Sequence, residues 1–411
     1  MSPPERPHAH HPTARQTGVP GQAEAQEQAK AQEQAKTPGQ ADVRSLADIL
    51  AVAPWTDLEQ HIDQLRERVD RAVLASHARR EQLRAEILAE NPGLRSLIRR
   101  PSHEASAWAR DLLRSGVVAA ADGTLAAVPL LSGTKIQIGV VVVTNTGESV
   151  RLVTRVFEHE LTAQGDTARE FFDNLRKVHG GSNLASRALM LFGERQILLS
   201  QDADWRLIHG ELIPYELRTG VGLPRENLPP VFELTRRYVA DQRFIAVSES
   251  PEDLDVLNAG AILEPGEYIE LRTLSDDLTT FLDGDSDSGV TKAGFNTVDR
   301  GNFRSFIGEV GPEVTIVLLK AGHRPFLLEC HRERVEQAAA LFLADALWTR
   351  GLPDAAATAT ARGFPFHLDL ADAVARTMFR AGEFRDFVEA RLMELGVEKG
   401  LVDLDPRRTR G

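Results

Sequence analysis

The sequence is nearly without cysteine. Cys330 is the single one in 411 residues, so no disulfide framework exists and a reducing cytoplasm is the expected setting. A basic excess is lacking too: 48 Lys and Arg stand against 60 Asp and Glu, a formal net charge of -12. That excludes a purely electrostatic nucleic-acid coat. Contact with DNA would need a local basic groove, metal ions over carboxylates, or a partner. No apolar run reaches about 18 residues, the length that marks an ordinary transmembrane helix. The N-terminus has no apolar middle of a signal peptide. There is no GxxxxGK[ST] loop, which excludes a P-loop ATPase, and no Cys/His spacing of a zinc site. Residues 1–42 lack burial material: AQEQAK repeats at 25–30 and 31–36, and no large apolar residue lies between Val19 and Val43. A disordered tail is expected there. Its His8, His10 and His11 read as part of that flexible segment rather than as a metal site.

The remainder has an ordinary globular composition, 42% hydrophobic and 26% charged, enough for one large domain or two smaller ones. Residues 43–110 read as a helical extension. Leu58, Ile62, Leu65, Val69, Val73, Ser76, Arg80, Leu83 and Ile87 recur at spacings of three and four, with Pro54 before the stripe and Asn91-Pro92-Gly93 after it. Such a helix needs a surface over its apolar side, its own core or a second subunit. Arg95, Arg99 and Arg100 form a basic cluster at its end, either a solvated helix end or a phosphate contact.

From Val117 the pattern becomes that of strands. Runs at 117–121, 135–144 and 150–160 form a meander, with Asn145-Thr146-Gly147 as a turn. A helix is expected over 167–200, a strand at 205–209, a helix at 229–240 and a strand at 243–247. A variable region follows, then a strand pair at 313–319 and 325–329. Helices at 331–350, 366–380 and 383–395 close the chain, with a loop at 353–360. This order is that of an α/β, ribonuclease-H-like mixed sheet flanked by helices, with an insertion before the last helix.

Phosphodiester hydrolysis on such a sheet uses divalent ions held by carboxylates, because magnesium and manganese prefer oxygen ligands. Candidate acids fall at telling places. Asp122 closes the first strand in Ala121-Asp122-Gly123, where Gly123 allows close approach; an Asp-Gly pair is also an ordinary turn. Glu194 sits among Met190, Leu191, Ile197 and Leu198 on a helix face, and is either a ligand or an edge residue paired to Arg195 or Arg187. His209 and Glu211 share a face if the fourth strand runs on through Gly210. Asp372 lies on the late helix; Asp369 there suits the helix dipole and His367 a structural role.

These segments resemble the NurA nucleases. ADGT at 121–124, LFGER at 191–195, LIHGELIP at 207–214, RFIAVSESPED at 243–253 and GFPFHLDLADAVA at 363–375 follow the order of the family's motifs. The resemblance spans roughly residues 112–385 and implies a nuclease domain over 111–400. It also implies a ligand set of Asp122, Glu194 and Asp372 for Mn2+ or Mg2+, converging around one cavity on one side of the sheet. Three positions depart from the pattern: His209 stands where the family has Asp, Glu249 where it has Lys, and Asp372 where it has His. Glu211 is the expected replacement acid, with His209 as auxiliary ligand or phosphate contact. The resemblance further implies DNA end resection, a homodimer, and a HerA-like hexameric ATPase as partner. A scaffold that binds DNA or the ATPase without cleaving is the competing reading, favoured by His209 and Glu249. A helical adaptor would account only for the N-terminal part.

Overall fold

The computed structural model describes residues 58–130, 133–162, 164–249, 254–284, 294–322, 324–347 and 363–395. The expected tail at 1–42 and loop at 353–360 lie outside them. Three helices lead in: α1 (Leu58–Glu90), α2 (Pro92–Leu97) and α3 (His103–Ser115). On α1 the stripe residues Leu65, Val69, Val73 and Leu83 are exposed, and Leu88 is buried. Its last turns are pinned by polar contacts: Arg84 pairs with Glu267 at 3.0 Å, and Arg80 donates to the Leu263 carbonyl. Helix α3 starts at Ser102, whose side chain accepts from the Ala105 amide, and stops at Gly116, which adopts the left-handed conformation such an end favours.

Strands β1 (Val118–Leu130), β2 (Gly133–Asn145) and β3 (Val150–Thr162) form an antiparallel meander. Helix α4 (Ala168–Leu199) follows, started by a Thr167–Glu170 capping box. Then come β4 (Trp205–His209), α5 (Tyr215–Arg218), α6 (Pro224–Asp241) and β5 (Phe244–Ser248), with β4 parallel to both β1 and β5. The region expected to be variable is built of α7 (Leu254–Ile262), β6 (Glu267–Thr273), α8 (Leu274–Asp283) and α9 (Thr297–Val310), leading to β7 (Val314–Lys320) and β8 (Pro325–His331). Helices α10 (Val335–Ala346), α11 (Phe366–Phe379) and α12 (Ala381–Glu394) come last.

The eight strands lie in one sheet of order β3-β2-β1-β4-β5-β8-β7-β6. The first five positions are the ribonuclease-H-like core, a meander followed by two parallel strands. The insertion extends this sheet by three antiparallel strands instead of forming a separate layer. Side-chain alternation sends neighbours on each strand to opposite faces. Val118 and Ala120 of β1 pack with α3, α10 and α11; Ala119 and Ala121 pack with α4, α6, α8 and α9. Among the described residues, no helix is long and apolar enough to cross a membrane.

Candidate active site

Strand β1 is longer than its sequence suggests, and Asp122 sits within it rather than at its end. The Asp-Gly pair makes no turn, because β2 pairs with β1 from Ala119 through Leu130. Pairing with β4 stops at Ala121, opposite Ile208. Asp122 is therefore the first residue of β1 beyond the parallel ladder. The ends of β4 and β5 open a notch beside it.

Three further side chains reach this notch. His209, the last residue of β4, brings Nδ1 to 3.4 Å from an Asp122 oxygen and Nε2 to 3.3 Å from Glu249, just past β5. Phe364 lies beside the ring, 5.7 Å between centroids. Burial alone would lower the His209 pKa; hydrogen bonds and charge from Asp122 and Glu249 outweigh it and lift the value to about 10. The ring is thus an imidazolium at neutral pH. Asp372, on α11, hydrogen-bonds Asp122, and its other flank takes Arg376 at 2.7 Å. Burial, then the Asp122 charge and that hydrogen bond, raise the Asp372 pKa, with Arg376 opposing.

Glu194 arrives from α4. Its carboxyl is 2% exposed, and Oε1 has no hydrogen-bond partner. A Cβ built on Gly123 would fall 2.3 Å from Oε1 and 2.8 Å from Met190 Cγ. The missing side chain of Gly123 is what lets the helix bring Glu194 against β1. Burial raises the Glu194 pKa to about 8; Arg195 opposes this and Asp122 adds to it.

The geometry corrects the expectation of one shared side. Helix α4 covers one face of the sheet and α11 the other, so Glu194 and Asp372 approach Asp122 from opposite faces. Asp122, Asp372 and His209 are brought together on the α11 side; Glu194 meets β1 at Gly123 from the α4 side, and Glu211 joins neither. Strand β4 ends at His209 and Gly210 turns left-handed, φ +80°, so the assumed continuation of the strand fails. Glu211 instead accepts from Arg218 at 2.9 Å, within a second group that includes the buried Glu329. Burial, then Glu211, push the Glu329 pKa to about 7.

Two contributors escaped sequence reasoning. Arg195, 1% exposed, donates to the carbonyls of Leu191, Leu212, His209 and Glu211, fixing the loop after β4 from beneath. Its signal was present in LFGER, but a basic residue beside an acid reads first as a surface pair. Glu249 was seen as a departure from a pattern, not as the partner of His209. His367 is structural as expected: it forms a fully buried pair with Asp345 at 2.6 Å, holding the start of α11. As they stand, the described residues hold no cluster of three or more donors arranged as a metal cage; hydrogen bonds organise the carboxyls instead.

These features define a ribonuclease-H-like α/β protein with a carboxylate cluster at the parallel strand ends. No family model matches the chain, and no curated protein matches it by sequence. Its structure is similar to solved structures titled NurA. One, the NurA nuclease from Sulfolobus solfataricus, is 10% identical, covering 76% of this chain and 97% of that one, with a TM-score of 0.41. Another, NurA with manganese, is 10% identical over 81% and 98%, with a TM-score of 0.41. An endonuclease V from Bacillus subtilis is 10% identical over 68% and 85%, with a TM-score of 0.27.

Proposed function

We propose that this chain is a metal-dependent deoxyribonuclease of NurA type. The observation that carries the reading is Glu194: a buried carboxyl with an unpartnered oxygen, held against β1 next to Asp122 by the absence of a side chain at Gly123. Such a group is costly to bury unless something compensates it. A dication would do so; Asp122, Glu194 and Asp372 are the hard oxygen donors that would hold Mn2+ or Mg2+. The ion, when bound, polarises the phosphodiester and lowers the pKa of a water. The chain's own residues do the rest. Glu194 holds a proton that it releases when positive charge is placed beside it. His209, with one ring nitrogen toward Asp122 and the other toward Glu249, keeps both carboxylates oriented. Phe364 walls the ring.

The test is cleavage of linear and circular DNA by the full chain with Mn2+, Mg2+ or chelator. Cleavage with metal, abolished by chelator and by Asp122→Asn with the fold intact, is expected; cleavage unaffected by Asp122→Asn refutes the assignment. DNA end processing in a homodimer, with a HerA-like ATPase supplying a basic channel, completes the proposal. The exposed α1 residues Leu65, Val69 and Val73 support a subunit contact, and a monomer in light scattering at micromolar concentration would count against it. The second reading, a scaffold that binds DNA or the ATPase without cleaving, is favoured by the imidazolium at His209 where the family pattern has an acid. Binding with no cleavage under either metal would select it.

A further inference from the structure

A second feature of the molecule lies on the α3 side of the sheet. A cavity of about 700 Å3 opens between α3, α10 and the turn before β6, within the range of ligand-sized sites. Arg100, Arg110 and Arg114 line it together with Ser106, over a floor that includes Leu343 and Leu347. Among the described residues no Asp or Glu lines it, although the chain carries 12 more acids than Lys and Arg. Ser106, Arg110 and Arg114 are four residues apart, so they form one face of α3, while Ala109 and Leu113 bury the other side.

Two of these guanidinium groups are free enough to take an anion. Arg110 is exposed and makes no ion pair among the described residues. Arg114 pairs with Asp111 at 3.2 Å, both exposed, a contact of little net worth. Arg100 is already held by Glu264 at 2.8 Å, Glu267 at 3.4 Å and the Pro265 carbonyl at 3.1 Å, so it frames the cavity while Arg110 and Arg114 supply the available donors. Arginine forks match phosphate oxygens in pairs. An apolar floor below cationic walls suits a ligand with a flat apolar body and a phosphate.

The cavity also adjoins the carboxylate cluster. Its wall residue Ala321 and the following Gly322 press against Gly363, where a Cβ would meet the Gly322 amide at 2.4 Å. The next residue, Phe364, packs on His209. A strand entering the notch at Asp122 has this cavity beside it, on the face shared by α3, α10 and α11.

We propose that the Arg100–Arg110–Arg114 cavity binds a phosphate-bearing nucleotide unit, the flank of a single nucleic-acid strand whose scissile phosphate lies at Asp122. This rests on the nuclease reading for the position of the strand, not for the binding itself. The test uses the full chain in chelator, so that binding is read without cleavage, by fluorescence anisotropy of a labelled single-stranded oligonucleotide across salt concentrations. Arg110→Glu with Arg114→Glu should weaken binding at least about tenfold and flatten the log–log salt slope by about two, one per lost phosphate contact. Arg110→Gln with Arg114→Gln should do the same in milder form, and keeps the test valid if charge reversal disturbs folding. A mononucleotide competitor distinguishes the sources: displacement only by oligonucleotide assigns a strand, and displacement by the mononucleotide at equal concentration assigns a free nucleotide, both supporting the cavity. Wild-type affinity and slope in the double variants overturn it, as does failure of the wild-type chain to bind either ligand. Cleavage by the wild-type chain with Mn2+ is scored separately. Cleavage with unchanged binding by the variants sinks the cavity alone, and altered binding without any cleavage sinks the nuclease reading alone.

Discussion

At the scale of single residues, Gly123 separates fold from activity. Replacing it with Ala puts a methyl 2.3 Å from Glu194 Oε1. The atom in the way ends a side chain that can swing, and Met190 Cγ at 2.8 Å can adjust. The melting temperature of Gly123→Ala should therefore stay close to that of the parent. Displacing Glu194 by about an ångström should cost on the order of a hundredfold in cleavage rate. Parental activity in a folded Gly123→Ala chain would show that Glu194 needs no close approach. His367 gives the opposite separation. Burial works to lower its pKa, but the Asp345 charge and hydrogen bond prevail and raise it. The sign follows from linkage: this stabilisation is complete below the unfolded value near 6.5 and is lost as pH rises through the folded value. Thermal melts of the parent in chelator should fall in this window, and those of Asp345→Asn with His367→Gln should fall less steeply, since Glu194, Glu329 and His209 still titrate there. The single change His367→Gln, which strands a buried Asp345, should cost about 3–5 kcal/mol in denaturant unfolding. Asp122, Glu194 and Asp372 stand out in the sequence because each interrupts an apolar pattern, but the face from which each approaches β1 does not. Glu211 misled because its placement assumed unbroken strand alternation, and the glycine between it and His209 takes a conformation that ends the alternation.

At the scale of elements, Arg195 ties α4 to the end of β4. Its guanidinium serves four backbone carbonyls from a site with almost no solvent. Tyr238 of α6 in turn donates to the Arg195 carbonyl at 2.7 Å. Lysine carries the charge but not the planar fork, so Arg195→Lys would leave carbonyls of the 209–212 loop unpaired. A loss of about 2–4 kcal/mol is expected from denaturant unfolding, at about 1–3 kcal/mol per stranded buried group. A loss below about 0.5 kcal/mol would mean that water replaces the fork. The meander, β4 and β5 were readable from their apolar runs and turns. Strand β6 was not, because its register slips between Glu270 and Arg272 and breaks the two-residue period. Helix α6 starts at Pro224, five residues before its expected start, with Pro229 and Pro230 inside. Residues on both sides of these prolines, Leu228, Val231 and Phe232, are buried, and that packing carries the helix through them. Helix α9 did advertise itself, through Asn296 and Asp299 as a capping box and Phe303, Phe306, Ile307 and Val310 at helical spacing. No flanking strand signal was strong enough to frame it.

At the scale of the whole molecule, removal of residues 1–42 should leave the melting temperature unchanged within about a degree. Their composition offers nothing to bury. A drop of several degrees in calorimetry would show that the segment packs. The core order of the sheet was within reach of the sequence because it follows from element order. The three-strand extension was not: the pairing of β5 with β8 joins segments some 80 residues apart, and nothing local specifies such a partner.

The approach of Glu194 and Asp372 from opposite faces has a mechanical meaning. The cluster works like a caliper closed on β1, one jaw carried by each helical layer and Asp122 between them. Either layer can slide by an ångström without unfolding, because the sheet itself stays paired, yet the jaws would then no longer meet. On the proposed nuclease reading, cleavage is expected to depend on alignment across the full thickness of the domain and to fail at a gentler perturbation than the one that melts the fold.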